Sequence, residues 1–405
     1  MGFSFVFPFL PLYIKNLHST THLNSEMASG LVFSIQALTM ALTAPVWGAV
    51  ADRYGRKLMV IRAMVGGGIT IFLMGMVRTA EELIILRAIQ GVLSGVISAN
   101  MALVASIAPR NKTGYAIGIL QMGMWTGVSV GPLAGGIFAD LFGFRMPFYV
   151  SGIMLCASGM IVWWLVEEHF VHPAQKPGRR FSFISDWKNI LTRRSLFFTL
   201  MLRFIVSFSV NILAPVLPLF LHQIAYKNAP VSTYTGIMAG LSSLAAIFSG
   251  VYLGRLGDRI GHIKIVIFST CTTALFFFPQ GLVTAIWQLI ILQTLTGFFS
   301  GGLTPSLSAM LAQNSKSNEV GSVYGIDNSI TSAGRALAPM VGALFAIWFG
   351  FRGVFFSTGA MFIIMTILTL FLMSNGAIKT RMSAEQAPET VESKTAEAAI
   401  MKEED

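Results

Sequence analysis

The sequence is short of charge. Only 11% of its 405 residues are Asp, Glu, Lys or Arg, against about 25% in an ordinary soluble domain. So few charges cannot clothe a water-facing surface, which excludes a soluble enzyme, a secreted disulfide scaffold and a disordered binder. Cysteine is scarce as well. Cys156 and Cys271 both lie in apolar stretches, which suits neither a disulfide framework nor a zinc site. There is no Gly-Lys-Ser/Thr phosphate cradle, so ATP is not the energy source, and no nucleophile–base set is visible. His169-x-x-His172 has a metal-like spacing but only Glu167 and Glu168 beside it, and is read as solvated.

What is abundant is apolar. Hydrophobic residues make up 54% and mean hydropathy is +0.69. Apolar runs separated by short polar turns predict twelve spans: 1–14, 27–51, 58–77, 82–107, 114–140, 146–166, 195–224, 231–254, 265–283, 286–313, 320–348 and 353–374. Each is of the length needed to cross about 30 Å of hydrocarbon, the first excepted. The expected organisation is an N-terminal six-helix bundle (1–166), a cytoplasmic linker (167–194), a C-terminal six-helix bundle (195–374) and a polar, disordered tail (375–405). The net charge of +10 invites a nucleic-acid reading, but the basic residues sit at span ends. Even-numbered loops hold 16 Lys and Arg and odd-numbered loops only 5, so the even loops and both termini should face the cytoplasm.

The chain repeats itself at an offset of 206 to 207 residues. Pro8-x-x-Pro11 returns as Pro215-x-x-Pro218, and Gly48-x-x-x-Asp52-Arg53-x-Gly55 as Gly254-x-x-x-Asp258-Arg259-x-Gly261. Gly91-x-x-x-Gly95 returns as Gly297-x-x-x-Gly301, Pro132 as Pro339, and Phe142-Gly-Phe-Arg145 as Phe349-Gly-Phe-Arg352. The matching basic loops lie on one face, so each half has an even number of spans. That predicts a parallel repeat about an axis normal to the membrane, with a substrate site between halves that rock against each other. The repeat also marks the first span as short. As a helix, 1–14 rises about 21 Å, and the expectation is that the natural span starts at least about 13 residues earlier, by the rise per residue that a full crossing needs. No cleavable signal peptide is expected, for want of a basic lead and a small-residue cleavage site.

Four motifs carry a resemblance. They are Gly48-x-x-x-Asp52-Arg53-x-Gly55-Arg56-Lys57, Leu86-Arg87-x-x-Gln90-Gly91, Gly127-x-x-x-Gly131-Pro132-x-x-Gly135-Gly136 and Gly2-x5-Pro8-x-x-Pro11. On these the whole chain resembles the major facilitator superfamily, and within it the twelve-span drug/proton antiporters. The fold implied is all-α, two six-helix bundles related by a pseudo-twofold axis. The function implied is proton-coupled export of hydrophobic or amphiphilic drugs; the alternative is a metabolite or sugar symporter of the same fold. The implied partners are small amphiphilic substrates, protons and the lipid bilayer of a bacterial inner membrane. No nucleic acid, metal or cofactor is expected, the energy coming from a proton gradient, and the chain should work as a monomer.

Residue by residue, the resemblance implies that Asp52 locks the outward-open state by meeting the start of span 11, with Arg53, Arg56 and Lys57 adding ion pairs; Asp258 and Arg259 are the repeat's equivalents. A carboxylate suits the free N–H groups and positive end of a helix. The competing reading is a basic turn that only fixes topology. Gly127, Gly131, Gly135 and Gly136 recur at spacings of mostly four, so most share one face and let helices pack closely, while Pro132 frees one carbonyl. That they seal an antiporter against leakage is implied by the resemblance.

Charges inside spans are costly, and four occur: Arg87, Arg203, Asp327 and Arg335. Asp327 is the only acid well inside a span. Arg335 lies about 12 Å up the same helix and about 80° around it, so Asp327 faces Arg335, Arg203 or Arg87. A proton-exchanging carboxylate and a structural ion pair both remain open. The same holds for Arg87, in which proton coupling competes with bonds to backbone carbonyls. Gln36, Asn100, Gln121, Trp125, Asn211 and Asn328 fall at mid-span depth and are candidate cavity residues.

Overall fold

A computed structural model describes residues 2–19, 21, 23–107, 109, 113–168, 192–315 and 320–374. The histidine pair His169 and His172, the linker 169–191, the tail 375–405, Arg110, Lys112, Lys316 and the side chain of Asp52 lie outside the described residues.

The described chain is helical nearly throughout. Span 1 comprises Gly2–Val6, a 3-10 turn Phe7–Phe9 around Pro8, and Leu10–Lys15. Span 2 is Ser25–Tyr54, span 3 Arg56–Met74, and span 4 the pair Ala80–Leu93 and Val96–Ile107. Span 5 is Thr113–Phe142 and span 6 Met146–Leu165. Span 7 comprises Arg194–Asn211 and Val216–Ile224, span 8 is Val231–Ile260, and span 9 His262–Gln280. Span 10 comprises Ile286–Ser300 and Leu303–Asn314. Spans 11 and 12 lie within Val320–Ser374 as two helices that meet at Gly350, whose φ of 72° and ψ of 169° are non-helical. Among the described residues eight stretches are long and apolar enough to cross a membrane, and the last, Val323–Phe371, is long enough to cross twice. The chain is therefore a multi-pass membrane protein.

The internal repeat survives to single hydrogen bonds. Gly55 (φ 95°) and Gly261 (φ 98°) turn the chain between spans 2 and 3 and between spans 8 and 9. Both hold a positive φ that costs a residue with a Cβ dearly. Arg145 donates to the Val77 carbonyl at 3.4 Å, and Arg352 donates to the Val283 carbonyl at 3.3 Å. Glu82 accepts from the backbone N–H of Arg78 and Thr79, and Gln288 accepts from those of Thr284 and Ala285. The predicted twofold relation thus reaches the helix caps.

Each half buries its own core. Phe9, Leu10, Val32, Met74, Leu83 and Phe148 anchor one, and Leu202, Phe220, Met238, Phe277, Phe355 and Phe362 the other. Span 2 packs on span 11 and span 5 on span 8 across the seam.

Besides span 1, broken by the turn around Pro8, three more of the predicted spans are broken rather than straight. Span 4 breaks at Ser94–Gly95, where Gly95 has φ 116°. Spans 7 and 10 break near Pro215 and at Gly301–Gly302. A break frees carbonyls that lipid cannot satisfy, and polar side chains take them up. Trp47 Nε1 donates to the Val92 carbonyl at 2.7 Å and Arg62 donates to the Ser94 carbonyl at 3.1 Å. The Arg62 guanidinium also lies 3.6 Å over the Trp47 ring. In the other half Ser249 Oγ donates to the Phe298 carbonyl.

Candidate transport site and gates

The glycines on the four seam helices divide by depth. On the odd-loop side they touch the opposite half's backbone. A Cβ on Gly30 would overlap Ala343 and the Pro339 carbonyl, one on Gly136 the Ser232 carbonyl, and one on Gly236 the Pro132 carbonyl. On the even-loop side, a Cβ on Gly48, Gly118, Gly123 or Gly325 would meet nothing within 4 Å. Span 5 shows the same change along its length. On its face toward span 8, Ser129, Pro132 and Gly136 are buried, whereas Gly118, Met122 and Trp125, nearer the even-loop end of that face, are exposed. Hydrogen bonds between the halves, among the described residues, also sit from mid-depth to the odd-loop rim. Met340 N donates to Ser34 Oγ at 3.2 Å, Thr233 N donates to Asp140 Oδ2 at 2.7 Å, and Lys15 Nζ lies 3.3 Å from His222 Nδ1. The halves are sealed on one side and parted on the other.

The glycine–proline segment of span 5 is part of that seal. Gly135 lies against the Phe5 carbonyl of span 1, and Gly136 against span 8. Ser4 Oγ donates to the Gly127 carbonyl at 2.7 Å. Small residues permit this backbone-to-backbone approach.

Two charged clusters lie inside the halves. In the C-terminal half, Arg203 Nε donates to Asp327 Oδ1 at 2.7 Å and a second guanidinium nitrogen donates to Oδ2 at 2.6 Å. Of the three partners open to Asp327, the structure selects Arg203. The pair is two-pronged, the geometry that best offsets desolvation, and Asp327 is 4% exposed. Arg335 donates instead to Ser332 Oγ at 3.2 Å while remaining in electrostatic reach of both. In the N-terminal half, Arg87 is buried and donates to Gln36 Oε1 at 2.8 Å and to Gln90 Oε1 at 3.0 Å. The two halves thus handle an intramembrane guanidinium differently: the half-buried Arg203 meets a carboxylate and the buried Arg87 meets amide oxygens.

The proposed cavity residues do not behave as one group. Gln36 is committed to Arg87, and Asn211 Nδ2 donates to the Ser207 carbonyl at 2.7 Å. Gln121, Trp125 and Asn328 are exposed, and Asn100 is half-buried. Arg53 reaches over Tyr54 at 5.4 Å, and Asp258 Oδ1 lies 3.2 Å from His262 Nε2 within its own half. Gly48 and Gly325, on the even-loop side of spans 2 and 11, have open space around them. Arg56 and Lys57 show a contact that sequence reasoning missed. Their backbone N–H groups donate to Glu168 Oε1 and Oε2 at 2.9 and 2.8 Å. Span 3 has no acid in its first turn, so an external carboxylate meeting its free N–H groups was the available signal.

At the odd-loop rim, Glu81 stands in the solvent-facing first turn of Ala80–Leu93, two residues ahead of the apolar run that starts at Leu83. Its carboxylate accepts from Thr21 Oγ1 at 2.7 Å, Thr21 N at 3.0 Å and Ser19 Oγ at 3.0 Å. Led by the Thr21 hydroxyl, these bonds push its pKa down to about 2.

Two repeated six-helix halves, sealed at one rim and parted at the other around buried charge, define a membrane transporter of the alternating-access kind. The sequence model of the Major Facilitator Superfamily matches residues 1–235 and again 202–400, and the chain belongs to that family. It is 36% identical over 361 residues to the Multidrug resistance protein MdtG of Salmonella paratyphi A, covering 89% of each chain, and equally so to that of Salmonella arizonae. Among solved structures it superposes on a bacterial homologue of the human lysosomal transporter Spinster, in an inward-facing and occupied conformation. The TM-score there is 0.76 at 13% identity, covering 92% of this chain and 93% of that one. The nucleoside transporter NupG gives a TM-score of 0.72 at 15% identity, with 92% and 95% covered. These last two likenesses speak for the fold alone.

Proposed function

We propose that this protein exports hydrophobic or amphiphilic drugs across a bacterial inner membrane in exchange for protons, working as a monomer with both termini in the cytoplasm. The observation that carries the reading is the seam itself, closed at the odd-loop rim and open at the even-loop mouth. With the basic even loops facing the cytoplasm, this is the inward-open member of an alternating pair, ready to take substrate from inside. The drug class rests on the kinship with the multidrug resistance proteins. The span 5 glycine–proline segment favours an exporter over a metabolite symporter, by its likeness to the antiporter motif.

Coupling is assigned to Asp327. A proton arriving at this carboxylate neutralises it and frees Arg203, converting a tight interhelical clamp between spans 7 and 11 into a loose one. Loss of the proton restores the clamp. Arg335 remains in electrostatic reach of the pair. Arg87 performs the structural part in the other half, tying spans 2 and 4 through Gln36. Gln121, Trp125 and Asn328 line the open mouth that receives substrate.

The test is a proteoliposome assay with an imposed pH gradient and a panel of amphiphilic drugs. Drug-dependent proton movement opposite to the drug is expected, and Asp327→Asn should abolish it. Protons moving in the same direction as the drug would overturn the exporter reading. Unchanged exchange in Asp327→Asn would remove this carboxylate from the mechanism.

A further inference from the structure

Asp140 belongs to no motif and to neither charged cluster. It stands in the last turn of span 5, at the odd-loop rim, on the N-terminal half. Its Oδ2 accepts the backbone N–H of Thr233 at 2.7 Å. Thr233 is in the first turn of span 8, on the other half. That helix starts without an acid in its first turn and without a side-chain cap of its own. Its free N–H groups and positive dipole end therefore take their carboxylate from across the seam.

We propose that Asp140 is the outer latch of the transport cycle, a positioning residue whose bond to the start of span 8 holds the inward-open state. The inference rests on the alternating-access reading above, and not on the drug or the proton. Three features of the structure fit it. The bond crosses between the two bodies that must part when the outer gate opens. It sits directly above the Gly136–Ser232 and Gly236–Pro132 contacts, where spans 5 and 8 are at their closest, so any opening of that seam must break it. And it is one-sided. At the repeat's offset of 207, Asp140 falls on Ile347, which has no carboxylate to offer span 2. The second outer seam depends on Gly30 and Ser34 against span 11 instead. A cavity of about 370 Å³ opens beside the latch, and Asp140 is the only acid among its lining residues, which include Lys15, His222 and Lys227.

The experiment places spin labels at Asn16 and Lys227, one on each half of this rim and both exposed. The full chain is used in lipid nanodiscs, with Cys156 and Cys271 replaced. Distances are recorded without drug for the parent, Asp140→Ala and Asp140→Asn. The parent should be dominated by the short distance. Asp140→Ala should raise the ratio of long to short by about fivefold, the equivalent of one lost helix cap. Asp140→Asn keeps an acceptor oxygen and loses the charge, so it should lie between. If Asp140→Ala does not fold, the shift in Asp140→Asn alone decides. A distance distribution unchanged in every variant that folds would overturn the latch, as would a lowered melting temperature without a population shift. Failure of the exporter reading has a different signature, since the labels report gate closure whatever the cargo.

Discussion

Arg203 on span 7 and Asp327 on span 11 meet in a two-pronged ion pair, at 2.7 and 2.6 Å, about 10 to 14 Å in from the even-loop ends of their helices by helical rise. The Asp327 carboxylate is buried and the Arg203 guanidinium half-buried. The chemistry of the pair sets the first prediction. Removing the carboxylate alone strands a partly buried guanidinium, at a cost that approaches the about 3–5 kcal/mol of a fully buried pair. Replacing both partners by apolar residues of similar size should recover most of that. Thermal melting of Asp327→Leu, Arg203→Met and the double variant gives the cycle. An additive double variant would mean that the two charges are not coupled.

The outer seal predicts a graded response at one position. A Cβ at Gly136 would overlap the carbonyl oxygen of Ser232, which is backbone and cannot swing aside. Gly136→Ala should part spans 5 and 8 slightly, and Gly136→Val should part them fully, leaving a leak. Passive proton influx into liposomes should rise in that order. Gly118→Ala, whose Cβ would meet open space, should leave the leak unchanged.

The break in span 4 gives a third prediction. Arg62 supplies a donor to the Ser94 carbonyl and stacks on Trp47, which serves the Val92 carbonyl. Arg62→Met should leave a buried carbonyl without its partner and cost about 1–3 kcal/mol. Hydrogen exchange should then rise at Gly95 and its neighbours before it rises elsewhere in the half. Uniform exchange along span 4 would show that the break needs no such support.

Sequence and structure agree where a residue's cost is independent of its partners. A charge in an apolar run is expensive wherever it sits, so Asp327, Arg203, Arg335 and Arg87 stood out. The repeat was legible because Gly55 and Gly261, or Gly143 and Gly350, must hold the same positive φ in both halves. Choosing Arg203 over Arg335 as the partner of Asp327 was not legible, because it depends on how spans 7 and 11 lie together. Glu168 was hidden in a polar segment whose fold the pattern does not specify. The breaks in spans 4, 7 and 10 were hidden too, since a glycine or proline in an apolar run is compatible with a straight membrane helix. The open mouth was beyond reach for a different reason: one sequence must support both states of the cycle.

Glu168 itself yields a fourth prediction. It provides the two acceptors for the start of span 3, beside the basic turn Arg53–Lys57. Glu168→Ala should cost about 1 kcal/mol, as for a lost cap, and speed amide exchange at Arg56 and Lys57. Glu168→Gln should retain one acceptor oxygen and fall between.

Glu81 sets a pH dependence on the outer face. Its folded pKa, near 2, is below the ordinary value of a glutamate. A depressed carboxylate stabilises the fold above its unfolded pKa, and that contribution is lost as pH falls from about 4.5 toward 2. Protease cleavage of the loop between spans 1 and 2 should therefore increase over that window, and Glu81→Gln should show the increase already at pH 7.

The central claim is that the halves close one rim as they open the other. Distances should be measured at both rims of the same protein: Asn16 to Lys227 at the odd-loop rim, and Tyr115 to Tyr252, both exposed, near the even-loop mouth. A change of pH or added drug should lengthen the first pair and shorten the second in equal proportion of molecules. Two distances that lengthen together, or an even-loop pair that never shortens, would contradict the account.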